Sequence, residues 1–223
     1  MGSSRSANSG PINFLDLPKL VRDKIYEEAL VVLHPVYLFQ DPGSQVETFA
    51  PDKPLRWLAL LHTNRQISVE ASAVLYRANH FELVDITEKQ IGVLRSFLDC
   101  IGTVNAASLS HLCISFPIVV SIDEEPGKLR LRDDSQQILK LLEDKCTNLS
   151  TLETVVHYRN SGFFMRTEQF LREALTYIDG HLKAIHSLQR IIVRVEAQSG
   201  VPTSSVKDMM QQLGWLVWSG NGN

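Results

Sequence analysis

The residues of this chain best suited to chemistry are seven histidines and three cysteines, and their spacing argues against most of what they could do. No two histidines form an H-x-x-x-H or H-E-x-x-H pair, which would set two imidazoles on one helix face to hold zinc. There is no G-x-S-x-G elbow, no phosphate-cradling P-loop and no G-x-G-x-x-G turn. The best metal set joins His111 and Cys113, two apart and so on one face of a strand, to His157 on a neighbouring strand. Zinc asks for a fourth ligand, usually in close pairs, and none is at hand. The same residues also read as strand positions at the edge of a core. Asp123-Glu124-Glu125 and Asp133-Asp134 lack the regular oxygen spacing and turn glycine of a calcium loop. They read as solvated acids, balanced by Arg130 and Arg132. Met209, Met210, Trp215 and Trp218 suit an adaptable binding surface or the closed end of a core. No catalytic residue, metal or cofactor is therefore expected, and the chain reads as an interaction protein rather than an enzyme.

Composition bounds the partners. A net charge of −3 and a pI of about 6.2 oppose a general nucleic-acid binder, which needs a basic field to release counterions. No apolar run is long enough to span a bilayer and no secretory signal opens the chain, so an intracellular protein, cytoplasmic or nuclear, without stable membrane association is expected. Cys100, Cys113 and Cys146 are an odd number and read as reduced thiols, two of them in apolar runs. Residues 1–11 read as a disordered tail. Its opening satisfies the M-G-x-x-x-S acylation pattern at Gly2 and Ser6, a short pattern that also arises by chance.

Elements that must position any site begin near Ile12. Leu15-Asp16-Leu17-Pro18 reads as a helix start, with proline at the first helical position and Asp16 near enough to cap. Leu20, Val21, Ile25, Ala29, Val32 and Leu33 then make one apolar face, expected to be buried, opposite Arg22, Lys24 and Glu27. Residues 35–54, with four prolines, read as an extended loop with a strand at Val36–Phe39. A second helical region runs from Leu55 to about Ala78, breakable at Thr63-Asn64 or at Ser68. Beyond His80 strands and helices alternate: a strand at 80–84, helices on Ile91–Ile101, Ile138–Leu142, Phe170–Leu182 and Val206–Leu213, strands at 112–116, 155–156 and 191–195, and a short strand at Trp215–Trp218. Residues 117–132 read as a loop.

A weak repeat sits in this half. Leu109-Ser-His-Leu112-Cys-Ile114 compares with Leu188-Gln-Arg-Ile191-Ile-Val193, and more poorly with Leu152-Glu-Thr-Val155. A short strand, a return helix and a core made by stacking are the logic of a leucine-rich repeat, although these units are longer and lack an asparagine ladder. A plain two-layer α/β domain with right-handed crossovers fits equally. Both readings give an α/β fold: a helical head over 12–80 with an inserted loop at 35–54, and a body over 81–223 built on a largely parallel sheet with one helical layer.

The opening Phe14-Leu-Asp-Leu-Pro-Lys-Leu-Val-Arg-Asp-Lys-Ile-Tyr26, followed by Leu60-Leu-His-Thr-Asn-Arg-Gln-Ile67, Glu70-Ala71 and Leu75-Tyr-Arg-Ala-Asn-His-Phe81, resembles the fungal F-box-like proteins. The matches are to L-P-x-E-I-R-x-x-I-Y, R-Q-I-x-x-E-A and L-Y-x-x-N-x-F, over the N-terminal third of the chain. Leu20 stands where the pattern has glutamate, and 35–54 replaces the short turn of an ordinary F-box. The resemblance implies a substrate receptor that docks an SKP-type adaptor of a cullin ubiquitin ligase. It assigns partner contact to Leu15, Leu17, Pro18, Val21 and Leu60, and leaves the C-terminal half to recruit a protein target. The alternative is a stand-alone binding or scaffold protein that keeps this opening for structural reasons.

Overall fold

The computed structural model describes residues 13–41, 43–54, 56–84, 87–122, 128–157, 161–196 and 203–219. The acylation pattern at Gly2 and the Asp123-Glu124-Glu125 run fall outside these residues.

A 3-10 turn at Phe14–Asp16 leads into α1 (Lys19–Leu30), with Pro18 as its N-cap rather than its first residue. The chain continues through β1 (Val36–Phe39), β2 (Glu47–Phe49) and a 3-10 segment at Trp57–His62 to α2 (Arg65–Ala78) and β3 (His80–Leu83). Then follow α3 (Thr87–Ser108), β4 (His111–Ser115), a hairpin of β5 (Val119–Ser121) and β6 (Leu129–Leu131), and α4 (Asp133–Lys145). β7 (Thr151–Val156), the short α5 (Ser161–Phe164), α6 (Glu168–Lys183), β8 (Arg190–Val195), α7 (Ser204–Gln212) and β9 (Leu216–Ser219) complete it.

Local chemistry sets these boundaries. The Asn64 side chain accepts a 2.9 Å bond from the Ile67 N–H, starting α2 where the sequence suggested a break. Thr167 does the same for α6, which carries Glu168 in its first turn and His181 and Lys183 in its last, each favourable to the helix dipole. Leu171, Ala174, Leu175, Ile178 and Leu182 form its buried stripe, where each buried leucine contributes roughly 1.5–3 kcal/mol. Gly102 interrupts α3 with φ +76° and ψ 168°, a left-handed conformation that favours glycine.

Seven strands form one sheet in the order β2-β1-β3-β4-β7-β8-β9. Every neighbouring pair is parallel except β1–β2. The fold is thus α/β with a largely parallel sheet. The hydrophobic core takes alternate residues from the strands: Val36 and Leu38, Phe81 and Leu83, Leu112 and Ile114, Leu152, Val193 and Val195. Strand geometry sends the intervening residues to the opposite face. No helix among the described residues is long and apolar enough to cross a membrane.

Four expectations need correction. On α1 the buried residues are Arg22, Tyr26 and Leu30, while Leu20, Val21, Ile25 and Leu33 are exposed, Leu20 by 74%. The helix is turned from its expected orientation because Arg22 has an internal partner. Segment 35–54, read as an extended loop with a strand at Val36–Phe39, has that strand as β1 but adds β2, and β1 pairs with β3. Head and body therefore share one sheet, and one hydrophobic cluster runs from Tyr26 to Trp215. Segment 117–132, read as a loop, contains the β5–β6 hairpin, with Val119 and Leu131 buried. The middle repeat unit begins at Leu149 and not Leu152. Leu112 lies opposite Leu152, and Leu152 opposite Ile191. The strand entries repeat as well: Ser150 and Thr151 N–H both donate to Ser110 O, and Gln189 and Arg190 N–H both donate to Ser150 O.

Candidate functional site

The residues that the resemblance singles out divide into an internal polar scaffold and an outer apolar surface. Arg22 donates from Nε and Nη2 to the two Glu70 oxygens at 2.8 and 2.7 Å. Its Nη1 donates to the Leu17 and Leu15 carbonyls at 2.6 and 3.3 Å. Tyr26 Oη and Gln66 Nε2 complete the Glu70 shell, each at 3.0 Å. Hydrogen bonds from Arg22 first and Gln66 next hold the Glu70 carboxyl down to about 2. Burial, with Glu70 adding to it, pushes the Tyr26 phenol up to about 12. Asn79 is a second fastening. Its Nδ2 donates to Leu30 O and Leu75 O, and its Oδ1 accepts from Val32 N–H, so one side chain satisfies the ends of both α1 and α2.

With Arg22 drawn inward, the other side of α1 faces solvent. Pro18 and Val21 are exposed, beside Leu20 and Ile25, whereas Leu15, Leu17 and Leu60 are half-buried, Leu15 and Leu60 packed against the core. Of the five expected partner residues, two therefore sit on the exposed helix surface, and three lie at its base.

The second polar concentration lies on the sheet face opposite the core. Register places His80 beside His111 and Glu82 beside Cys113, and Cys113 beside Glu153. The His80 and His111 rings stack 3.8 Å apart at 6°. Arg194 reaches across from β8. Its Nη2 donates to Glu82 Oε1 at 2.7 Å and to Cys113 Sγ at 3.6 Å, and its Nε forms an ion pair with Glu153 Oε1 at 3.0 Å. Burial and then neighbouring His111 push His80 down to about 4. Burial raises the Glu153 carboxyl, but His111, Arg194 and His80 outweigh it and hold the group below its usual range. Burial drives the Cys113 thiol well up, so the sulfur stays protonated and is a poor nucleophile.

Of the expected metal set, His111 and Cys113 do lie here, but His157 does not. It stands past the end of β7, paired with Glu196 at 3.1 Å. Sequence reasoning missed His80, Glu82, Glu153 and Arg194. The available signal was the strand-entry register: with the middle unit begun at Leu149, Glu82, Cys113 and Glu153 fall in one row, two residues past the His80–His111 pair.

An apolar cleft of about 420 Å³ opens between the 3-10 segment, α2 and α3, lined by Trp57, Tyr76, Phe81 and Phe97. Its lining holds no Asp, Glu, Lys or Arg, so it offers shape and little orientation. No family model, curated protein or solved structure matches the chain.

Proposed function

We propose that the chain is a protein-interaction module, an F-box-like substrate receptor whose α1 surface docks an SKP-type adaptor of a cullin ubiquitin ligase. The observation that carries this reading is the reversed burial of α1. A helix beside a core ordinarily hides its apolar stripe. Here Pro18, Leu20, Val21 and Ile25 are all exposed, and exposed apolar residues gathered on one element mark interaction surfaces. The Arg22–Glu70 network holds that face outward at one angle, which lowers the ordering cost of binding. The body would then present its open sheet face to a target. A non-enzymatic role agrees with the buried, protonated Cys113. The alternative is a scaffold that uses the same apolar strip for a different partner.

Binding of the purified full chain to purified SKP adaptor tests the reading. Wild type should bind, and Val21→Asp with Ile25→Asp should abolish binding while leaving the melting temperature nearly unchanged. Absence of wild-type binding at tens of micromolar would remove the ubiquitin-ligase role and leave the scaffold reading.

A further inference from the structure

Five buried side-chain atoms lack a hydrogen-bond partner among the described residues: His80 Nε2, Glu82 Oε2, His111 Nε2, Ser115 Oγ and Arg194 Nε, the last of them ion-paired with Glu153 instead. All five belong to residues on β3, β4 and β8, and all but Ser115 belong to the polar cluster on the open sheet face. Unmet polar groups are normally rare and scattered, because each costs the desolvation of a lost hydrogen bond. Their concentration asks for a common partner.

The geometry points to a divalent transition-metal site, of the zinc type, formed by His80 Nε2, His111 Nε2 and Glu153 Oε2. These three atoms lie within 4.8 Å of one another. Glu153 Oε2 is 3.8 Å from His80 Nε2 and 3.7 Å from His111 Nε2, too far for hydrogen bonds. Two ligands of one tetrahedral ion with bonds of about 2.0–2.1 Å stand about 3.3 Å apart, so each imidazole is within about 0.5 Å of the spacing to Glu153 that a shared ion needs. The donor set of two imidazoles and a carboxylate favours zinc, cobalt or nickel over calcium and magnesium, which prefer oxygen alone.

The surroundings supply what such a set needs. Arg194 Nε holds the other Glu153 oxygen at 3.0 Å, which turns Oε2 toward the imidazoles, the orienting role of an outer partner at metal sites. Charge is tolerable: Glu82 and Glu153 against Arg194 leave a net negative cluster before a dication arrives. The rings stack 3.8 Å apart at 6°, and to bring both Nε2 atoms onto one ion one imidazole turns about its Cβ–Cγ bond. That turn breaks the ring stack but no Nε2 hydrogen bond. Three protein ligands leave a fourth position for water or a donor from a bound partner. Because the ligands come from β3, β4 and β7, the ion would clamp three strands together. None of this depends on the adaptor reading.

The test uses the full chain with Zn²⁺ and Co²⁺ as probes. Calorimetry should show a single saturable Zn²⁺ site, and Co²⁺ should give the visible absorption of a low-coordinate ion. His80→Gln and His111→Gln should each weaken Zn²⁺ binding at least tenfold, whereas His157→Gln should not. On the wild type, one equivalent of Zn²⁺ should shift the imidazole nitrogens of His80 and His111 alone among the seven histidines. This measurement decides the matter even if the variants misfold. Failure to take up Zn²⁺, full binding by the His80→Gln/His111→Gln double variant, or shifts at other histidines only would each overturn the site.

Discussion

The outer surface of α1 and the open face of the sheet both reverse the usual rule of burial, and they do so with opposite success. On α1 a charged residue is inside and leucine outside: Arg22 is 7% exposed and Leu20 74%. That arginine donates to a bidentate carboxylate and two carbonyls, and the carboxylate is completed by Tyr26 and Gln66. On the sheet, His80, Glu82 and His111 are sheltered with atoms unpartnered. A satisfied buried network fixes one conformation; a partly satisfied one is costly. The comparison separates a polar cluster that serves the fold from one that is fit to receive a ligand.

The largest expected effect breaks the first cluster. Glu70→Ala strands the Arg22 guanidinium away from its partner, and loss of one member of a buried pair is strongly destabilising. The thermal midpoint should fall by roughly 10 °C for a domain of this size. A fall of only a degree or two, read by circular dichroism, would show that the network is dispensable. Acid should reach the same cluster more gently. Glu70 has a folded pKa of about 2 against an ordinary value of 4.5, so the unfolded chain binds this proton first as pH falls. The contribution is therefore complete above about pH 4.5, declines from there toward pH 2, and is absent below both values. Melting curves across that window should lose this slope in Glu70→Gln. The smallest effect concerns the exposed strip: Leu20→Ser with Ile25→Ser should change stability by less than about 0.5 kcal/mol, as surface substitutions do. A large loss in urea unfolding would mean that these side chains are covered.

Much of the fold was readable. The stripe on α6, the alternation in β4 and the run in β8 each obey one period, and packing agrees with it. Where reading failed, a distant partner overruled a local pattern. The 3.6-residue pattern of α1 assigns Leu20, Val21 and Ile25 to the core, but a bidentate ion pair 48 positions away turns the helix. The hairpin at β5 and β6 was hidden because its strands are three residues each, too short to show alternation beside a proline. The polar cluster was only half visible. His111 and Cys113 are neighbours on one strand, whereas His80 and Glu153 join them through strand register, and a three-residue error in the middle unit concealed Glu153.

The order of the strands has a consequence for how the chain acquires its structure. Apart from β2 at one edge, each new strand of the sheet is laid beside the one before it in sequence. Each pairing therefore needs only the strand just before it, although a parallel pairing through a crossover is itself slow to form. Such a chain can assemble progressively as it leaves the ribosome, each unit offering the next a ready edge. The Arg194–Glu82 link is the exception, joining positions 112 apart. It can close only after β8 has docked, which makes it a late fastening across an array that is otherwise built one neighbour at a time.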